Sequence, residues 1–107
     1  MNAEDFVACW RREKDELLRG FMGEQSTSAV AKLVGEMSLT PQQRTKLIAV
    51  LDGALTDTMY TLLLGLDGEA SIGDVQHTYR IQGEDGTVIS ECGQIEAEAW
   101  RQFHGPG

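Results

Sequence analysis

The sequence predicts an α+β domain with three N-terminal helices, a two-stranded antiparallel hairpin and a short C-terminal helix. Two observations lead to this prediction. Apolar residues recur at three- and four-residue spacing through the first 66 residues and again near the C-terminus, which indicates amphipathic helices. Between these regions, two runs rich in β-prone residues flank Gly83-Glu84-Asp85-Gly86, which is a hairpin signal. At 107 residues, the chain has the length of a single domain covering residues 1–107.

The first two helices are predicted from their apolar stripes and end signals. Residues 3–20 place most of their large apolar side chains on one face and charged side chains on the other. Asn2 is the expected N-cap, and Gly20 and Gly23 end this helix. After a Ser/Thr-rich loop, a shorter helix carries apolar residues at helical spacing, namely Val30, Leu33, Val34 and Met37.

The third helix has the clearest start signal in the chain. Thr40 is placed to cap it, Pro41 suits the first helical position, and Gln43 completes a capping box. The apolar stripe then continues to about Leu66, where a Gly- and acid-rich loop begins. The sequence therefore predicts one long helix with a loop after it.

The hairpin and the last helix complete the predicted fold. Residues 75–82 and 87–92 are the expected strands, and the hairpin is expected to cover the apolar end of the third helix, because an isolated hairpin is marginally stable. Residues 95–104 are expected to be helical. Their apolar positions are Ile95, Ala99, Trp100 and Phe103.

The negative charge of the chain lies in its second half. Residues 1–51 contain seven acidic and seven basic side chains, whereas residues 52–107 contain ten acidic and two basic ones, giving the net charge of −8. An acidic half of this kind favours a basic partner and disfavours nucleic acid, whose phosphates it would repel.

The sequence offers little evidence for catalysis or for a bound cofactor. The loop 67–74 lacks the glycine and the bidentate glutamate of a calcium-binding hand, so we predict no metal and no cofactor. The two histidines and two cysteines do not have metal-ligand spacing. Asp57 lies at the border of the apolar stripe, and one alternative is a small enzyme or ligand-binding domain in which Asp57 and His77 share a pocket. Our main prediction is that the chain is not an enzyme.

The expected location is the cytoplasm. No apolar run approaches the ~20 residues of a membrane span, so no membrane partner is predicted. Residues 1–20 are amphipathic and charged, unlike a signal peptide. Cys9 and Cys92 are far apart in sequence and do not suggest a disulfide framework.

The C-terminal half resembles a known group of proteins. The similarity runs through the stretch from Leu51 to Gly68 and continues in four shorter motifs: Ala70-Ser71-Ile72-Gly73, Gln76-x-Thr78-Tyr79, Gly93-x-Ile95-Glu96-Ala97-x-Ala99 and Phe103-His104-Gly105. These residues resemble small bacterial proteins, some of which look like immunity proteins encoded beside polymorphic toxins. The resemblance implies an intracellular binding protein with an antitoxin role, and it brings no catalytic motif.

Residues and resemblance together predict a small acidic protein that binds and neutralises a toxin. The partner would have a basic surface, such as that of a nuclease active site. Tyr60 either contributes to this interface or is covered by the hairpin or the first helix. A second alternative is a homodimeric structural module that pairs through a free hairpin edge or the apolar end of the third helix. The residues predicted to bind the partner are Asp57, Tyr60, Asp67, Glu69 and Asp74.

Overall fold

The computed structural model describes residues 1–23, 27–91 and 93–105, and these residues form four helices. Helices lie where the sequence predicts them, and their ends differ little from the predicted ones. In chain order they are α1 (Ala3–Phe21), α2 (Ala29–Glu36), α3 (Pro41–Leu66) and α4 (Gln94–Phe103).

The helix starts follow from local hydrogen bonds that the sequence predicts. The Asn2 side chain accepts a hydrogen bond from the Asp5 amide at 2.9 Å and so caps α1. At the start of α3, Thr40 Oγ1 accepts from the Gln43 amide at 3.2 Å, and Gln43 Oε1 accepts from the Thr40 amide at 3.0 Å. These reciprocal bonds confirm the capping box, which satisfies amides that a helix start leaves without intrahelical partners.

The α+β prediction is wrong, because the described residues contain no β-strand. Between α3 and α4, two isolated antiparallel bridges join Ile72 to Val75 and Gln82 to Val88. The predicted strands 75–82 and 87–92 do not form a ladder, and the end of the second falls on Cys92, which lies outside the described residues. The observed fold is therefore all-α, with a long irregular connection between α3 and α4.

A side chain explains why the hairpin does not extend into paired strands. The Ile89 amide donates to the Ile81 carbonyl at 2.8 Å, as in an antiparallel pair. The Ile81 amide, however, donates at 2.9 Å to Ser90 Oγ, which itself donates to the Tyr79 carbonyl. Ser90 therefore occupies the Ile81 amide and the Tyr79 carbonyl, which would otherwise be free to bond to a second strand. Because of this, the antiparallel pairing does not extend into a ladder.

The chain divides into two compact units, one comprising residues 1–11 with 57–107 and the other residues 12–56. The first unit contains a hydrophobic core in which Val7, Leu63 and Ile95 are fully buried. Ala3, Ile89 and Ala99 complete the cluster, so α1, α3, α4 and the irregular connection all contribute to it. Burial of these apolar side chains is the main favourable contribution to the folding of this unit.

Within the second unit, a buried lysine is held by an ion pair and a hydrogen bond. Lys14 is 8% exposed, and its ammonium lies 2.9 Å from Asp52 Oδ1 and 3.2 Å from Thr56 Oγ1. A buried ammonium requires such partners, because transfer out of water is costly for an unpaired charge. Asp52 belongs to the acidic second half of the sequence, and its carboxylate is therefore paired with a lysine of its own unit.

Helix α3 meets the length and composition criteria for a membrane span, contrary to the estimate made from the sequence. It has 26 residues, and the mean hydropathy of its most apolar window is 1.5. Asp52 and Asp57 lie within the helix, and an aspartate near the centre of a membrane helix costs about 2.5–3.5 kcal/mol. Length and composition alone do not place the chain in a membrane, since core helices of soluble proteins meet the same criteria.

Two glycines of α3 give a matched test of local packing. A Cβ at Gly65 would overlap with the side chain of Ile72, whereas a Cβ at Gly53 would meet no atom within 4 Å. Gly53→Ala should raise the free energy of unfolding by about 0.5–1 kcal/mol through helix propensity. Gly65→Ala should lower it by about 1–3 kcal/mol, because Ile72 must move. Urea denaturation measures both, and stabilisation by Gly65→Ala would contradict the close packing.

Candidate functional site

The candidate site begins at the C-terminal end of α3, where the backbone turns sharply. The Glu69 amide donates to the Leu64 carbonyl at 3.0 Å, and the Gly68 amide donates to the Gly65 carbonyl at 3.1 Å. Gly68 has a φ of 79°, in the left-handed region that glycine adopts readily. This is the Schellman arrangement, and it fixes the position of Asp67 at the helix end.

The side chain of Asp67 caps α4. The residue at the N-cap position of α4 is Gly93, which has no side chain to accept a hydrogen bond. Asp67 Oδ2 accepts the hydrogen bond of the Glu96 amide at 3.0 Å instead. A carboxylate at this end also interacts favourably with the helix dipole. Asp67 thus terminates one helix with its backbone and starts another with its side chain.

Burial disfavours the charged form of Asp67. The residue is 9% exposed, and its Oδ1 atom has no hydrogen-bond partner in the described part of the chain. Burial raises the pKa of the Asp67 carboxyl above its ordinary value; the Glu96 amide opposes this effect, and the nearby Glu69 charge adds to it. The capping carboxylate therefore has one satisfied oxygen and one buried, unsatisfied oxygen.

Two glutamates approach Asp67 and form what we call the acidic cluster (Asp67, Glu69 and Glu96). One carboxylate oxygen from each of the three lies within 4.8 Å of the others. Glu69 is exposed and Glu96 is half-buried. No ion pair involves either glutamate in the described residues, so the negative charge of the cluster is not balanced by a basic side chain.

Three rings from α3 and α4 form what we call the aromatic patch (Tyr60, Trp100 and His104). The Tyr60 and His104 rings are nearly perpendicular with centroids 4.6 Å apart, and Trp100 lies 5.2 Å from His104 and 6.3 Å from Tyr60. Edge-to-face contacts of this kind are favourable for aromatic rings. They hold Trp100 in a defined orientation, although its side chain is 59% exposed.

An open cleft joins the aromatic patch to the acidic cluster. Its volume is about 600 Å³, and its walls include Tyr60, Trp100, Glu69 and Glu96. Glu96 and Trp100 are four residues apart and so share one face of α4, and His104 follows directly after the helix as its C-cap. The cleft therefore presents aromatic surface beside unbalanced carboxylates, a combination that suits a cationic group.

Other cavities of this unit provide no support for the enzymatic alternative. Two of them have volumes of about 350 and 570 Å³; the first shares Ala97 with the cleft, and the second shares none of its lining residues. Asp57 and His77 are both exposed, and neither lines the cleft or these two cavities. The geometry does not bring Asp57 and His77 together in any of these three places.

The residues predicted from the sequence are distributed unevenly around the site. Tyr60 and Glu69 line the cleft, and α4 rather than a hairpin supplies the rings that contact Tyr60. Asp67 belongs to the acidic cluster but is buried. Asp57 and Asp74 are exposed and contribute to neither the cleft nor the acidic cluster.

Sequence reasoning missed Glu96, Trp100 and His104 as members of the site. Trp100 was expected to belong to the apolar stripe of the last helix, but that face is already formed by Ile95, Ala99 and Phe103. Ile95, Ala99 and Phe103 are four residues apart and form one row of side chains along α4. Trp100 lies four residues after Glu96, in the adjacent row. The spacing could have indicated an exposed tryptophan beside a glutamate.

Substitutions at Asp67 test its capping role and the cost of its charge. Asp67→Ala leaves the Glu96 amide without an acceptor and should lower the free energy of unfolding by about 1–2 kcal/mol. Asp67→Asn keeps an acceptor and removes the buried charge, so at pH 7 it should be at least as stable as the wild type.

The wild type and Asp67→Asn differ in their free energies of unfolding, and the pH dependence of this difference reports on the Asp67 carboxyl. Because the folded-state pKa of Asp67 is raised, the folded state binds the proton more tightly than the unfolded state. The wild type should therefore gain stability relative to Asp67→Asn as the pH falls from above the raised pKa towards 3.8. Urea denaturation in buffer free of divalent cations measures this change, and an opposite slope would contradict the burial argument.

Comparison of the chain with protein-family models, with curated proteins and with solved structures gave no significant match. The immunity-protein resemblance of the C-terminal half therefore remains a prediction from the sequence. The functional proposals below depend on the geometry of the cleft and on the charge of the chain.

Proposed function

We propose that this chain is a small acidic binding protein of the immunity type, which captures a basic protein partner in the cleft between the aromatic patch and the acidic cluster. The observation that carries the proposal is the 59% exposure of Trp100 on a face where Tyr60 and His104 hold its orientation. Tryptophan and tyrosine are the residues most often responsible for binding energy at protein interfaces.

The chemistry of the cleft suits an arginine or lysine side chain of the partner. The face of Trp100 can attract a cation, and the carboxylates of Glu69 and Glu96 can accept its hydrogen bonds. A guanidinium is favoured, because it stacks on aromatic rings and pairs with carboxylates at the same time. The cleft would thus recognise one basic side chain at the centre of a larger interface.

The net charge of −8 also supports the proposal, because it would attract a basic partner before the two proteins touch. Opposite charges speed the encounter of two proteins and lower the affinity for acidic competitors. A nuclease toxin has a basic surface where it binds phosphates, and an acidic protein that covers this surface blocks the substrate. Inhibition in this scheme requires no catalysis by the chain and takes place in the cytoplasm of the producing cell.

Of the alternatives, homodimerisation through a free strand edge loses its structural basis. The described residues between α3 and α4 contain bridges and turns rather than a strand with an open edge. Pairing through the apolar end of α3, where Leu62 is 38% exposed, is the remaining route to a homodimer. Sedimentation of the purified chain at micromolar concentration tests this route, because a monomer at that concentration would count against the homodimer.

Protection of cells from the protein encoded immediately upstream tests the proposed function. The wild-type chain should restore growth and bind an inactive form of that protein, whereas Trp100→Ala should weaken binding by about 30-fold or more. Leu33→Ala is the control, because Leu33 is also highly exposed but lies on α2. Wild-type binding by Trp100→Ala, or no protection by the wild type, would overturn the proposal.

Charge reversal at the cleft tests the electrostatic part of the interaction. Glu69→Lys should weaken binding of the same partner about tenfold at low salt, with a smaller loss at 0.5 M salt because ions screen exposed charges. Glu84→Lys makes the same change at an exposed position outside the cleft. Equal losses from the two variants would show that net charge, rather than the cleft, controls binding.

A further inference from the structure

We propose that the acidic cluster is a binding site for one hard divalent cation, with calcium as the preferred ion. The cluster is formed by Asp67 from the end of α3, Glu69 from the following turn and Glu96 from the first turn of α4. The proposal does not depend on the proposed function, and because the ion and the basic side chain of a partner would both use Glu69 and Glu96, the two would compete for the cluster.

The unsatisfied oxygen of Asp67 is the observation that points to a ligand. Oδ2 accepts the Glu96 amide, whereas Oδ1 is buried and has no hydrogen-bond partner in the described residues. Nearly all buried polar atoms in native proteins have a partner, and a missing ion or water is a common explanation for an exception. A cation bound by the cluster would balance the charge of the buried Asp67 carboxylate and offset the cost of burying it.

The coordination chemistry of the cluster suits calcium better than magnesium. The three carboxylate oxygens lie within 4.8 Å of one another, and two ligands on opposite sides of a calcium ion lie about 4.6–5.2 Å apart, so the cluster can hold one calcium ion. Magnesium demands near-ideal octahedral geometry and gives up its water reluctantly, whereas calcium accepts irregular sets of carboxylates and water.

The ligand types also favour a hard ion. Each of the three residues offers a carboxylate oxygen. Such oxygens select calcium, magnesium or manganese rather than the softer metals that prefer thiolate or imidazole. Because Glu69 is exposed, water can complete the coordination shell on the solvent side.

The electrostatic balance is favourable despite the nearby helix N-terminus. The dipole of α4 places about half a positive charge near the cluster, which opposes a cation. Three carboxylates outweigh it, and the Glu96 amide at the site is already engaged by Asp67 Oδ2. A divalent ion would also relieve the repulsion between Asp67 and Glu69 that raises the pKa of Asp67.

Calorimetric titration of the metal-free chain with calcium chloride tests the proposal. We expect saturable binding of one calcium per chain and weaker binding of magnesium. At a tenfold excess of calcium over its dissociation constant, the midpoint of thermal unfolding should rise by about 5 °C. Absence of saturable binding up to 10 mM calcium would overturn the proposal, and tighter binding of magnesium would overturn the assignment of calcium.

Three variants locate the ion. Glu69→Gln and Asp67→Asn should each weaken calcium binding at least tenfold, and neither removes the acceptor that caps α4. Glu84→Gln is the matched control, because it removes one exposed carboxylate outside the cluster and should bind calcium like the wild type. Equal affinities for all three variants would show that calcium binds diffusely to an acidic surface.

Discussion

The contact between the Asp67 carboxylate and the first turn of α4 is the constraint on which the rest of the site depends. Asp67 is held by the Schellman turn that ends α3, and its side chain replaces the cap that Gly93 cannot provide. One residue therefore joins the ends of two helices that are 27 residues apart in the chain. Once this junction forms, Tyr60 and Trp100 face the same cleft as Glu69 and Glu96.

Apolar anchors and local hydrogen bonds hold the long irregular connection between α3 and α4. The chain between α3 and α4 contributes Ile89 to the core and Ile81 to its border, so its apolar residues are anchored without a sheet. Its backbone groups are satisfied by turns and by side chains such as Ser90. A connection of this kind leaves no strand edge for another chain to pair with, as far as the described residues show.

Tertiary contacts divide the acidic side chains into balanced and unbalanced groups. Asp52 is paired with Lys14, and Glu98 is paired with Arg101 on α4. Glu69 and Glu96 have no basic partner in the described residues and lie at the cleft. Carboxylates that lie close together in a concave surface concentrate the electrostatic field, so these two glutamates make the cleft a place of strong negative field.

The sequence by itself determined the four helices, because apolar periodicity and capping residues act over a few neighbouring positions. The Asn2 cap, the capping box of Thr40 and Gln43, and the end of α3 near Gly68 all follow from local chemistry. The sequence also indicated Tyr60 and Glu69 as candidate site residues, and both line the cleft. Only the tertiary structure decided that Ser90 interrupts the hairpin, that Trp100 is exposed, and that Asp67 is buried against α4. The Ser90 and Asp67 contacts join residues that are 9 and 29 positions apart, and the exposure of Trp100 depends on which face of α4 packs against the core. Periodicity and spacing describe only neighbouring positions, so they do not encode such contacts.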